Sequence, residues 1–441
     1  MNNLDEETKN YIFDAINSSS KWKLPTTGES FDNVYDEIPT IETVGVIGGG
    51  TMGAGIAIAL SNSDYKVILV EIDDKLLNDA KNRIKILLNR EKEYKRLNED
   101  NFKKIVENIS YTVDFKLLSE ADLVIEAVFE CMQTKKKLFE KLKPILKKNC
   151  IVGSNTSSLD IDELANSIKP FNFIGIHFFN PSHVVKTIEI VYGNTTKGVS
   201  VAVGFEISAR MNKYPILVKT CPGFLFNRLL FVYIGIVSEL INTYGLYPSK
   251  IDEIFKKFGF LMGPLTMCDM NGLDVMNNVS RVVNFKLNEL EKWLVNKGDY
   301  GRKTGRGYYI YSKKGEKMNN KEVEEKINSL KSKNVEEVGL INDKDIVEFV
   351  LFPYINEIFK CLEDGIVSNF SHIDLIILVG LGWPSKTGGP VRWAKNEIGL
   401  KKIVEKLDYW YSKYKHPCYK VCDFLYKEAM NNQSTIKKSK I

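Results

Sequence analysis

Apolar and polar positions follow two regimes along the chain. In the first, short apolar runs bounded by turn residues recur at 43–47, 66–71, 123–127, 151–154, 173–177 and 187–191, and each run predicts a buried strand. Helical periodicity lies between them at 52–61 and 75–97. Strands alternating with helices predict a mostly parallel sheet. Residues 1–40 are polar with no strand period, and 18–27 reads as a linker. Beyond Pro222 the regime changes: 223–300 is helical, 311–340 is rich in Lys, Glu and Asn, and 345–430 is helical again.

The two helical stretches resemble each other. Leu229-Leu230-Phe231, Gly245, Ile251-Asp252, Phe258-Gly259-Phe260 and Gly263-Pro264 recur as Val350-Leu351-Phe352, Gly365, Ile373-Asp374, Leu381-Gly382-Trp383 and Gly389-Pro390. An offset of roughly 120 residues predicts a duplicated helical domain. The expected boundaries are an extension (1–40), an α/β domain (41–220), a helical domain (221–312), a linker (313–342), a second helical domain (343–430) and a tail (431–441).

Composition narrows the class. With 61 basic and 56 acidic residues, the net charge of +5 is too balanced to argue for nucleic acid. A mildly basic surface still suits a polyanionic ligand such as coenzyme A. Seven scattered cysteines without a C-x-x-C pair read as reduced thiols, with neither disulfides nor a metal site expected. The N-terminus lacks a signal-peptide pattern, and the longest apolar run, 229–237, is too short to span a bilayer. The last residues, Ser439-Lys440-Ile441 after Lys437-Lys438, resemble the S-K-L peroxisomal address and point to the import receptor as a partner.

Gly48-Gly49-Gly50-Thr51-Met52-Gly53 is a G-x-G-x-x-G between a strand and a helix. Gly48 permits the tight turn, Gly50 admits a pyrophosphate, and Gly53 lets helix and strand pack closely. Thr51 and Met52 open the helix, whose free N–H groups suit phosphates. Glu71 ends the second strand, 18 residues after Gly53, where a carboxylate binds ribose hydroxyls and repels a 2′-phosphate. NAD is therefore expected in preference to NADP, on a Rossmann domain followed by two duplicated all-α domains.

His177 ends a strand in Gly175-Ile176-His177-Phe178-Phe179-Asn180-Pro181, where ligands of open α/β sheets bind. An imidazole there can take a hydroxyl proton near neutral pH. Glu189 lies in another apolar strand, and a carboxylate is costly to bury without a partner such as an imidazole. Ser154-Asn155-Thr156-Ser157-Ser158 clusters hydrogen-bonding groups after a third strand, although Ser157 or Ser158 could instead cap a helix. Asn227, in Pro222-Gly223-Phe224-Leu225-Phe226-Asn227-Arg228, lies at the entry to the helical region.

The ordered set G-x-G-x-x-G, S-N-T-S-S, G-x-H-F-F-N-P, a downstream Glu and P-G-F-x-x-N-R resembles the 3-hydroxyacyl-CoA dehydrogenase family over about 44–309. The duplicated helical domain and the upstream linker from Lys21-Trp22 to Pro25 look like the dehydrogenase half of the peroxisomal bifunctional enzyme, with no room upstream for a hydratase domain. The resemblance implies that His177 is the catalytic base, oriented by Glu189, and that Ser157 and Asn227 hold substrate oxygens. It assigns Glu130, Lys135, Asn180 and Lys303 to the cofactor, with surface charge as the other reading of the two lysines. It implies the (S) hydroxyl of a 3-hydroxyacyl-CoA thioester, in fatty-acid β-oxidation. The second helical copy lacks P-G-F-x-x-N-R and is expected to be structural, in a partner's place, which favours a monomer over a homodimer. Two other readings stand: a dehydrogenase of a non-CoA hydroxy acid or sugar acid, and a non-catalytic dinucleotide-binding protein.

Overall fold

The computed structural model describes residues 4–34, 37–282, 286–330 and 342–438. It forms two compact units, Phe13–Phe224 and a second built from Leu225 onward together with the first twelve residues. The Ser-Lys-Ile tail lies outside the described residues.

In the first unit, strands β1 (Thr43–Ile47), β2 (Lys66–Val70), β3 (Ile109–Thr112), β4 (Leu123–Glu126), β5 (Ile151–Ser154), β6 (Asn172–Phe178), β7 (Thr187–Tyr192) and β8 (Tyr214–Lys219) form one sheet. Their order is β3-β2-β1-β4-β5-β6-β7-β8. Every pairing is parallel except that of β6 with β7. The inner strands are apolar because helices such as Thr51–Ser61 and Gly198–Arg210 bury them. Strand order reverses beside β1, whose neighbours are β2 and β4, so a crevice opens at their carboxyl ends.

The six expected strands are present, and the pattern missed β3 and β8 at the two edges. Only Ile109 of β3 is buried, so it lacks an apolar run. Pro215 interrupts β8, a residue an edge strand tolerates because one side needs no ladder bond. The single helix expected at 75–97 is two, Asp74–Glu93 and Glu99–Glu107. Lys95 breaks the run with a φ of +56°, and the Asn98 side chain caps the second helix. The polar N-terminal stretch contains a helix, Glu6–Ser19. The following stretch, expected as a linker, packs on the sheet unit: Trp22 and Leu24 are buried, and Trp22 meets Phe205 at 6.0 Å between ring centroids.

The second unit repeats one motif. Helices Phe226–Tyr244, Pro248–Phe258 and Pro264–Asn271 correspond to Asp343–Glu363, Phe370–Gly380 and Pro390–Trp393. In the first copy the buried Asp252 carboxylate accepts the amides of Leu265 (2.9 Å) and Thr266 (3.0 Å) and so caps the third helix. In the second copy Asp374 accepts Val391 (2.6 Å) and Arg392 (3.1 Å) in the same way. Each aspartate also accepts a tyrosine hydroxyl, Tyr309 on Asp252 at 2.8 Å and Tyr11 on Asp374 at 2.6 Å. One aromatic core joins the copies: Tyr233 meets Tyr354 at 5.9 Å, and Phe260 meets Trp383 at 5.2 Å. The polar stretch at 311–340 also holds structure, the strands β9 (Tyr309–Tyr311) and β10 (Lys317–Asn319) and the helix Lys321–Leu330, which buries Val323 and Ile327.

Candidate active site

The glycine-rich turn leaves β1 at Gly48, whose φ of +95° disfavours any residue with a Cβ. Gly53 lies so close to the turn that a Cβ there would sit 1.8 Å from the Gly48 carbonyl oxygen. A Cβ on Gly50 would instead enter open space, and no side chain caps the helix that Gly50 begins. Exposed Thr51 and half-buried Met52 form its first turn. This open, amide-lined turn fits a pyrophosphate. Glu71 lies at the same crevice, and its Oε1 accepts the Gly49 amide at 2.6 Å. Arg83, singled out by no sequence pattern, donates to the Gly49 carbonyl at 2.7 Å.

The one antiparallel pairing of the eight-stranded sheet brings His177 and Glu189 together. In the β6–β7 register His177 stands directly opposite Glu189, so both side chains share one face of the sheet. His177 Nδ1 lies 2.6 Å from Glu189 Oε2; the carboxylate is fully buried and the imidazole nearly so. Phe179 and Phe224 wall the ring at 5.1 and 5.8 Å. With Nδ1 held as the donor to the carboxylate, Nε2 is the nitrogen that can take a proton. Asn155 Oδ1 accepts the Phe178 amide at 2.9 Å and ties the S-N-T-S-S loop to the histidine strand. The helix after this loop, Ile161–Ile168, is capped by Asp160, so the serines do not serve that end.

Ser157 leads to a second, half-buried carboxylate, that of Glu130. Glu130 Oε1 accepts Thr156 Oγ1 (2.7 Å), the Ser157 amide (2.7 Å) and Ser157 Oγ (3.1 Å). Burial works to raise the Glu130 pKa, but the Lys135 ammonium and these donors outweigh it and hold the carboxyl below its usual value. Lys135 is not a surface charge. It is 1% exposed, lies 3.2 Å from Glu130 and is gripped by Glu126 at 2.7 and 2.8 Å. Glu126, which the sequence reading missed, also accepts Ser154 Oγ (2.6 Å) and the Val128 amide (2.7 Å). The signal that picked Glu189, a carboxylate in an apolar strand, was present in Leu-Val-Ile-Glu as well.

Asn180 is exposed just beyond β6, on a loop whose Ser182 hydroxyl donates to the Met52 carbonyl at 3.0 Å. The first unit therefore brings Gly48, Gly50, Thr51, Met52, Gly53, Glu71, Glu130, Ser157, His177 and Asn180 to the carboxyl ends of β1, β2, β4, β5 and β6 and the loops after them, with Glu189 near the start of β7 opposite the end of β6. Asn227 and Lys303 belong to the second unit. Asn227 is in the first turn of Phe226–Tyr244, and Lys303 pairs with Asp274 in the turn Arg302–Thr304.

Residues 43–221 match the model of the 3-hydroxyacyl-CoA dehydrogenase NAD-binding domain, and residues 223–311 match the model of the C-terminal domain of that family. The dehydrogenase part of multifunctional enzyme 1 from C. elegans is 39% identical with a TM-score of 0.72, over 96% of this chain and 97% of that one. The 3-hydroxybutyryl-CoA dehydrogenase of Escherichia coli K12 is 25% identical with a TM-score of 0.75, over 90% and 100%. The peroxisomal bifunctional enzyme of Danio rerio is 32% identical over 91% of this chain, which spans 57% of that relative's length. The chain belongs to the 3-hydroxyacyl-CoA dehydrogenase family.

Proposed function

We propose that the chain oxidises the 3-hydroxyl of (S)-3-hydroxyacyl-CoA with NAD, as a step of fatty-acid β-oxidation in the peroxisome. The observation that carries this reading is the buried His177–Glu189 pair at the carboxyl end of β6, in the same unit as the dinucleotide turn. His177 Nε2 takes the proton of the C3 hydroxyl, and Glu189 holds the ring orientation and stabilises the imidazolium. Ser157 and Asn227 hold the substrate oxygens, which fixes C3 for reaction. The turn at Gly48, Gly50 and Gly53 holds the pyrophosphate and Glu71 the ribose, while Glu130, Asn180 and Lys303 serve the rest of the cofactor. Bound NAD supplies the acceptor for the C3 hydrogen and its electron pair.

Coenzyme A is favoured over a free hydroxy acid by the basic side chains at the end of the helix Asp74–Glu93 and just after it, among them Arg90 and Arg96, whose guanidinium groups lie 5.5 and 5.1 Å from the exposed ring of Tyr94 while Arg96 also pairs with Glu91 at 3.6 Å. The aromatic core shared by the helical copies supports a monomer, and the Ser-Lys-Ile tail supports recognition by the import receptor. The test is NADH formation from (S)-3-hydroxyacyl-CoA of short, medium and long chain, with His177→Ala as control. Turnover that falls by roughly a thousandfold in the variant supports the reading. Absence of turnover with every thioester, or equal turnover of free hydroxy acids, would overturn it.

A further inference from the structure

Besides the histidine pair, the first unit buries Glu126 and Lys135, two charges to which the mechanism gives no task. Glu126 closes β4 with no exposed surface, and Lys135 is 1% exposed. Charges in such surroundings are costly unless paired and hydrogen-bonded. The pairing here is unequal. One ammonium serves two carboxylates, Glu126 at 2.7 and 2.8 Å and Glu130 at 3.2 Å, so the cluster holds one negative charge in excess. A bridge that only joined β4 to the helix Met132–Leu142 would need Glu126 and Lys135 alone. Glu130 extends the cluster to the Ser157 amide and hydroxyl.

We propose that Glu126 is a positioning residue that holds Lys135 against Glu130, and that the resulting excess negative charge favours the oxidised over the reduced dinucleotide in the site. The inference rests on the reading that the site binds NAD with Glu130 close to its nicotinamide. The oxidised nicotinamide ring carries a positive charge and the reduced ring carries none. A nearby negative cluster therefore stabilises one form and is nearly indifferent to the other. That difference helps an enzyme that must release NADH after each turnover.

The experiment measures dissociation constants for NAD and NADH, in the absence of acyl thioester, on the wild-type chain and three variants. Glu126→Gln keeps one carbonyl oxygen for the Val128 amide and turns its NH₂ to the Ser154 hydroxyl, which can accept it, leaves Lys135 within reach of Glu130, and removes the excess charge. The ratio of the NADH constant to the NAD constant is expected to fall about tenfold, the effect of one charge over roughly 10 Å at an effective dielectric of about 20. Lys135→Met adds to the excess and is expected to raise the ratio. Glu126→Gln with Lys135→Met restores one excess negative charge and is expected to return the ratio to the wild-type value. A ratio that stays constant while both affinities weaken together, or that moves in the same direction in both single variants, overturns the inference and leaves the proposed function standing. A wild-type chain that binds neither nucleotide overturns both.

Discussion

Glu189→Gln isolates the charge of the carboxylate from its shape. In the native site Glu189 is fully buried and its Oε2 lies 2.6 Å from His177 Nδ1. The interaction is weakest in the ground state, when the imidazole is neutral, and strongest once Nε2 has taken the substrate proton. Charge centres about 4 Å apart at an effective dielectric of about 20 attract by about 4 kcal/mol. Removing that attraction slows proton transfer by roughly a thousandfold. The amide adds a second effect: its NH₂ can donate to Nδ1, which leaves Nε2 protonated and unable to act as a base. The assay is the initial rate of NADH formation at saturating NAD over a range of thioester concentrations. A loss in kcat of about a thousandfold is expected, with KM for the thioester nearly constant, because the lost stabilisation belongs to the transition state. The reverse reaction, reduction of the 3-ketoacyl thioester, must slow by the same factor. NADH affinity is expected to hold, since the proposed role of Glu189 is toward the imidazolium and not the dinucleotide. A kcat within tenfold of wild type, in a variant that binds NADH normally, would show that the carboxylate does not stabilise the imidazolium.

Other perturbations test the rest of the architecture. Gly53→Ala places a Cβ 1.8 Å from the Gly48 oxygen, and the displaced turn is expected to weaken NAD binding by about a hundredfold in a fluorescence titration. Glu71→Ser removes the carboxylate that repels a 2′-phosphate while Arg83 stays on the Gly49 carbonyl. The kcat/KM with NADP should rise by roughly tenfold, and Arg83→Ala in the same background should cancel the gain. Burial raises the Asp374 pKa to about 7 from an ordinary 3.8, so the folded chain holds that proton more tightly than the unfolded one. Stability from this group is therefore full below about pH 4 and is lost as pH rises towards about 7. Denaturant midpoints at pH 5 and pH 8 are expected to differ more for the wild type than for Asp374→Asn.

What the sequence disclosed, and what it withheld, follows from which interactions are local. The glycine-rich turn was legible because its requirements act within a few residues: a positive φ at Gly48 and no Cβ at Gly53. The inner strands were legible because burial on both faces imposes a continuous apolar run. β3 and β8 were not, since an edge strand escapes that demand. His177 and Glu189 were legible as types, through the cost of burying a carboxylate, but only the antiparallel register of β6 and β7 shows that they face each other. The same cost applied to Glu126, and it was missed because its partner is not an imidazole but Lys135, a residue that resembles surface charge in a helix of lysines. Tyr11 and Asp374 mark the far limit of this reasoning. They are 363 residues apart, and nothing in either neighbourhood names the other. The repeat offers a route to the pair: Asp252 and Asp374 are equivalent caps, so a tyrosine found on one predicts a tyrosine on the other. A buried carboxylate read from sequence is thus best treated as a demand for partners, and duplication within the chain shows what kind of partner can meet it.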